Sequence, residues 1–298
     1  MAGLIESEAT VTLEAPSTPV IAPGRPVRLR AAAQRRQTLA RWVVVAVVAV
    51  LAALPLLGLL DFSTRFINGK RTGRSWDTII HWSKLTAAAP GLVGGLKITL
   101  LLCALTAVLS VGLLVPTMTW VRLRLPRLRR AMEFICLLPL TIPAIVLVVG
   151  LATIYRGIAH VLSTGNIWLT FAYVILALPY AYRAIDVGLT AIDIKTLSEA
   201  ARSLGASWAT VMWRIVLPNI RAAVFGAVFL TVALVLGEFT IAYLLSKNNL
   251  AVAVFNLGLN SSGDPRLTAA VALVTLVFGF LLMLVFSFAG SRRRRKRA

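Results

Sequence analysis

The sequence predicts an all-α integral membrane protein with six transmembrane helices and both termini in the cytoplasm. Three observations lead there. Of 298 residues, 58% are hydrophobic and 14% charged, where a soluble domain carries roughly a quarter charged. Apolar runs of about 20 residues, enough for a helix to cross a bilayer, recur along the chain. Basic residues gather between and beyond those runs, as in loops held on the cytoplasmic side.

In chain order, residues 1–41 read as a disordered cytoplasmic tail, rich in Ala, Pro, Thr and Arg with Glu6, Glu8 and Glu14. No apolar core precedes a cleavage site, so this stretch is not a cleavable signal peptide. A six-helix domain is expected over 42–290, followed by a basic cytoplasmic tail over 291–298. The spans run about Trp42–Leu60, Leu92–Met118 and Ala131–Tyr155, then from Ile167 to at least Tyr182, then Ala222–Leu245 and Leu267–Ala289. The fourth has a short apolar run containing Pro179. Continued to Ile192 it carries Arg183 and Asp186, three apart and able to pair on one helix face.

Charge sets the orientation. Twenty-two Lys and Arg lie in segments 1–41, 117–130, 183–222 and 291–298, against eight in 61–91, 156–166 and 246–266. The first group is therefore assigned to the cytoplasm.

Composition also excludes functions. A net charge of +20 would suit nucleic acid, but its placement argues against that partner. The run Arg292 to Arg297 reads as a topology anchor against anionic membrane lipid. Cys103 and Cys136 lie in apolar spans, with no disulfide framework or metal spacing. Neither HExxH nor GxSxG occurs, and His81 and His160 stand apart in outer loops. A secondary ion-coupled transporter, the alternative from another class, needs ion-coupling carboxylates or inverted repeats, and only Glu238 qualifies.

The most informative segment is the cytoplasmic loop at about 193–218. Thr196 and Glu199 have the spacing of a capping box. Ala200 and Ala201 are small helix formers, and Gly205 can end the helix in the left-handed conformation. Ser207 offers a second N-cap, Trp208 to Ile215 a second short helix, and Pro218 a stop. Helix signals alone fit equally a loop lying on lipid headgroups and one that docks on a protein.

In register, Glu199-Ala200-Ala201, Gly205, Ile215, Leu217 and Pro218 follow the pattern EAA, three residues, Gly, nine residues, I-x-L-P. This resembles the cytoplasmic coupling loop of ABC importer permeases, and the likeness extends more loosely over about residues 90–290. The resemblance implies a non-enzymatic transport subunit in a bacterial inner membrane. Its loop docks on a cytoplasmic ABC ATPase dimer, beside a second, non-identical permease subunit, and an extracytoplasmic binding protein delivers the solute. No cofactor is expected on this chain. It lacks GxxxxGK[ST], so ATP and magnesium belong to the partner ATPase.

Candidates for the substrate pathway lie inside the membrane. Glu238, beside Thr240 in the fifth span, is seven residues before Leu245, or about 10 Å along a helix. A carboxylate there must face protein or water. It is either a contact for a cationic solute or a hydrogen-bonded partner of a tyrosine, an arginine or a backbone group. In Leu138-Pro139-Leu140-Thr141-Ile142-Pro143, two prolines four apart on one face remove two donors, giving a broken pathway helix or a fixed packing kink. The tyrosines receive no role. The segment 237–242 with the two Leu-Pro and Ile-Pro pairs is similar to permeases of the spermidine and putrescine group, which implies a polyamine solute. That group also has relatives for ferric iron, thiamine and aminoethylphosphonate.

Overall fold

The computed structural model describes residues 28–65, 71–161, 165–259 and 264–295. The chain divides into two units, Met1–Pro55 and Leu56–Ala298. In the first, helix α1 (Arg28–Thr64, continuing into the second unit) starts well before Trp42. The stretch 28–41 expected as tail is therefore helical, while residues 1–27 lie outside the described residues.

The second unit continues with two short helices, α2 (Arg74–Ile80) and α3 (Trp82–Ala88), then α4 (Pro90–Arg124). Pro90 opens α4 where its missing amide costs nothing. A 3-10 turn, Pro126–Leu128, leads to α5 (Arg129–Leu137), a second 3-10 turn, Leu138–Leu140, and α6 (Ala144–Val161). The expected third span is thus not one helix: its two halves meet at 101°. Pro139 and Pro143 each remove a helix donor, and the Thr141 hydroxyl turns back to donate to the Leu138 carbonyl at 2.8 Å. The two prolines consequently share a corner, not a helix face.

The fourth span is complete as α7 (Leu169–Thr190), with Pro179 inside it. Leu169, Tyr173, Ala177, Ala181, Ile185 and Leu189 are all at most 1% exposed. Their four-residue spacing is a helical stripe, and it packs α7 between α4 and α10 at the centre of the unit. Arg183 and Asp186 do not pair with each other. Arg183 reaches Glu133 on α5 at 3.2 Å, and Asp186 takes Arg122 of α4 at 2.5 Å and Arg129 of α5 at 3.6 Å. Arg122 also donates to the Asp186 carbonyl and the Thr190 hydroxyl. Those extra bonds favour the cross-helix arrangement over a pairing within α7.

After α7 come α8 (Ile194–Ser203) and α9 (Trp208–Thr210), which passes through a π turn, Val211–Val216, into α10 (Leu217–Gly237). The expected fifth span therefore begins earlier than Ala222 and breaks at Glu238 instead of running to Leu245. Helices α11 (Thr240–Leu244), α12 (Leu250–Leu259) and α13 (Pro265–Arg295) complete the unit. Among the described residues, five helices are long and apolar enough to cross a membrane, or six if the bent α5–α6 pair is one span.

Two apolar clusters hold the bundle, one around Leu102, Tyr173, Val235 and Ile241 and one around Leu114, Tyr182, Ile185 and Ile220. Both free cysteines are buried within them. Helices α7 and α10 come very close at Gly188, where a Cβ would sit 2.2 Å from that of Ala223. Small residues permit this approach, as in many membrane helix pairs.

Candidate functional site

The loop between α7 and α10 is built from paired helix caps. Asp193 is the N-cap of α8 and accepts from the Thr196 amide at 3.2 Å and the Thr196 hydroxyl at 2.7 Å. The expected capping box from Thr196 to Glu199 is therefore displaced: the helix starts two residues before Thr196, and the aspartate takes the amide first. These donors hold the Asp193 carboxyl below its usual range.

Gly205 ends α8 as expected, with φ +83°. Its amide donates to Arg202 O at 2.9 Å, and the Ala206 amide reaches back to Ala201 O at 3.0 Å. That bond pair is a Schellman motif, and only glycine adopts its left-handed corner without strain. Ser207 then caps α9, accepting from the Thr210 amide at 3.2 Å. The α8–α9 corner is thus fixed by backbone and short side chains at both turns.

This corner splits the sequence motif into two surfaces. Glu199, Ala200 and Gly205 face outward, together with Leu204, which is 89% exposed. Among the described residues, Glu199 pairs with Lys195 alone, at 4.0 Å. Ala201, Ile215 and Leu217 are half-buried against the inner apolar cluster, with Val216 fully buried between the last two. Pro218 departs from expectation. It sits in the first turn of α10 and does not stop the helix, which runs on from Trp208 to Gly237. The π turn just before it supplies the local unwinding, and Asn219 Nδ2 donates to the Ile215 carbonyl at 2.8 Å.

On the far side of the bundle, Glu238 stands at the break between α10 and α11. Its carboxylate accepts from the Ile241 amide at 2.8 Å and the Ala242 amide at 3.3 Å, so it caps α11. It is 8% exposed. Of the foreseen protein partners, the backbone is present, and the Tyr173 hydroxyl lies beside the same carboxylate. Thr240 opens the same short helix and is half-buried. Pro139, Thr141 and Pro143 occupy the other break, between α5 and α6, which packs on α7; Pro139 is buried, and Thr141 and Pro143 are exposed.

Residues without a role in the sequence reading complete this junction. Asn249 Nδ2 donates to the Glu238 carbonyl at 2.6 Å and to the Tyr173 hydroxyl at 3.1 Å. Asn249 Oδ1 accepts from the Val252 amide, and Thr99 Oγ1 from the Leu250 amide, both at 2.8 Å. Four helices meet there through polar groups. The signal that could have found Asn249 is an amide side chain immediately before an apolar run, where it serves as an N-cap. Among the described residues, no group of three or more His, Cys, Asp or Glu gathers as a metal site.

Residues 109–295 match the family described as "Binding-protein-dependent transport system inner membrane component". The chain is 27% identical over 269 residues to a probable ABC transporter permease protein, y4fN, of Sinorhizobium fredii, covering 84% of this chain. It spans less than half of that relative's own length, 46% of it. It is 26% identical over 253 residues to the putrescine transport system permease protein PotI of Escherichia coli, covering 81% of this chain and 88% of the relative. A solved amino acid ABC transporter with histidines aligns over 72% of this chain and 98% of its own, with a TM-score of 0.49 and 21% identity.

Proposed function

The chain belongs to the family of binding-protein-dependent transport inner-membrane components, as a multi-pass permease component of an ABC importer, and we propose on that premise that the α8–α9 corner is its contact with a separate cytoplasmic ATPase. One observation carries the reading. The Schellman corner holds Glu199, Ala200 and Leu204 outward on a helix whose inner side, through Ala201 and Ala206, is seated on the bundle. A short helix carrying small and apolar residues outward suits insertion into a groove.

The corner also has the right connections. Three residues, 191–193, join α8 to α7, and the π turn joins α9 to α10. A displacement of α8 by an ATPase dimer closing on ATP and magnesium reaches both central helices through these short links. The charge asymmetry supports placing this corner, with both termini, in the cytoplasm. The complex is completed by a second, non-identical permease subunit and a binding protein on the other face. Substituting Leu204→Cys tests the contact, because a cysteine at the exposed corner should crosslink to the ATPase. Crosslinking that goes solely to lipid-directed reagents contradicts it.

For the solute we favour a polyamine, on the strength of the putrescine relative, which the chain covers almost throughout. A second reading is an oxyanion. Relatives described as probable sulfate permeases match at 29% and 24%, and the Glu238 carboxylate is already engaged by two amides. Uptake of labelled putrescine and labelled sulfate by the assembled importer separates the two. The breaks at Glu238–Thr240 and at Pro139, Thr141 and Pro143 are the elements proposed to line the path.

A further inference from the structure

At the root of α8, beside the outward corner, lies a cavity of about 190 Å³ lined by Arg124, Lys195, Arg202, Ser198, Glu199 and Trp208. Three cations and one carboxylate leave it with two net positive charges. The carboxylate does not neutralise it, since Glu199 is 68% exposed and only 4.0 Å from Lys195, itself 75% exposed. Arg124 and Arg202 have no carboxylate partner among the described residues. Instead both guanidinium groups lie on the Trp208 ring, at 5.2 and 4.6 Å from its centroid. Cation–π contact holds the two guanidinium groups against the ring without using their N–H donors.

A second, independent observation points to a ligand. Ser198 is 2% exposed, and its hydroxyl has no hydrogen-bond partner among the described residues. A hydroxyl inside a helix has a carbonyl four residues back as its ordinary acceptor, and this one leaves it unused. The cavity wall therefore holds forked cationic donors, an ammonium and an unspent neutral donor around one small volume. That set matches a tetrahedral oxyanion, to which arginine forks donate in pairs.

We propose that this cavity binds a phosphate group, bridging Arg124 on α4 to Lys195 and Arg202 on α8. Occupancy ties α8 to the end of α4 and so governs how freely the corner moves. Two sources carry the same chemistry: free phosphate and the headgroup of an anionic phospholipid. Trp120, 5.6 Å from Trp208 and 49% exposed, sits beside the cavity near the end of α4, and exposed indoles favour the membrane interface. The assay for this site requires neither the ATPase nor transport, so its outcome is separable from that of the docking reading.

The experiment uses the full chain in maltoside micelles, which carry no phosphate, with thermal unfolding as readout. Inorganic phosphate, added against chloride at matched ionic strength, should raise the unfolding midpoint, since a ligand of the folded state stabilises it. Lys195→Gln and Ser198→Ala, which leave the packing in place, should each raise the half-maximal phosphate concentration, by about tenfold for the lysine. Arg124→Gln combined with Arg202→Gln should abolish the response. Added phosphatidylglycerol that raises the midpoint by itself and blunts the phosphate response identifies the lipid headgroup as occupant. A full phosphate response beside no lipid effect identifies free phosphate. The proposal is overturned if neither probe moves the wild-type midpoint, or if Lys195→Gln and Ser198→Ala respond as wild type does.

Discussion

Asp186 on α7 accepts from Arg122 on α4 at 2.5 Å, with the two side chains 18% and 11% exposed. The pair closes the end of the bundle where α7 hands over to α8. Arg129 of α5 approaches the same carboxylate at 3.6 Å, so one aspartate holds three helices. Removing one member of such a pair strands the other in a poorly solvated place.

Asp186→Ala should therefore cost about 2–3 kcal/mol, somewhat less than for fully buried pairs. Thermal unfolding of the purified variant measures it. Exchanging the charges, with Arg122→Asp and Asp186→Arg together, should recover part of the loss, and an Asp186→Ala variant as stable as wild type would show the pair to be inert.

Glu238→Ala and Glu238→Gln should differ. Glutamine keeps an acceptor for the Ile241 amide, whereas alanine uncaps α11 at a cost of about 1 kcal/mol. Unfolding midpoints and uptake rates should both rank wild type and Glu238→Gln close together above Glu238→Ala. A large loss of uptake in Glu238→Gln, with stability kept, would assign the carboxylate to the solute.

Gly188→Ala places a methyl 2.2 Å from the Ala223 Cβ, and overpacking of this kind costs about 1–3 kcal/mol. Adding Ala223→Gly should restore most of it. A double-mutant cycle with no coupling would mean that α7 and α10 separate more easily than their contact implies.

Asp193 gives a pH-dependent cap. Thr196 donors hold its carboxyl below the usual 3.8. A folded value lower than the unfolded one means that the stabilisation is complete above pH 3.8 and is lost as pH falls through the lowered value. Hydrogen exchange at the Thr196 amide should accelerate in that acid window, relative to Asp193→Asn, whose neutral amide oxygen keeps its acceptor at every pH. Parallel exchange in the two proteins would contradict the cap.

Much of this fold is legible in the sequence because bilayer length and charge placement are properties of composition along the chain. The Gly205 corner is equally legible, since a left-handed residue after a helix calls for glycine. Local helix signals do not show which helix a side chain will meet. Asp186 finds arginines 64 and 57 positions away, a choice set by packing. The break at Glu238 stays hidden for a related reason, and at Pro139 and Pro143 the prolines announce a break or kink without its angle. Apolar continuity marks a span, while prolines and a capping carboxylate inside it decide where its backbone bends. Pro218 shows the converse, a stop signal overridden because a π turn and Asn219 accommodate it.

The central claim, that the exposed face of α8 binds an ATPase, is tested most directly by Glu199→Lys. Glu199 is 68% exposed, with an ion pair to Lys195 at 4.0 Å, so the reversal leaves the bundle intact. The measurement is the amount of ATPase recovered with the affinity-purified permease from membranes containing equal amounts of wild type and variant. The expected result is a loss of most of the ATPase while membrane insertion persists. Recovery equal to wild type would contradict the assignment.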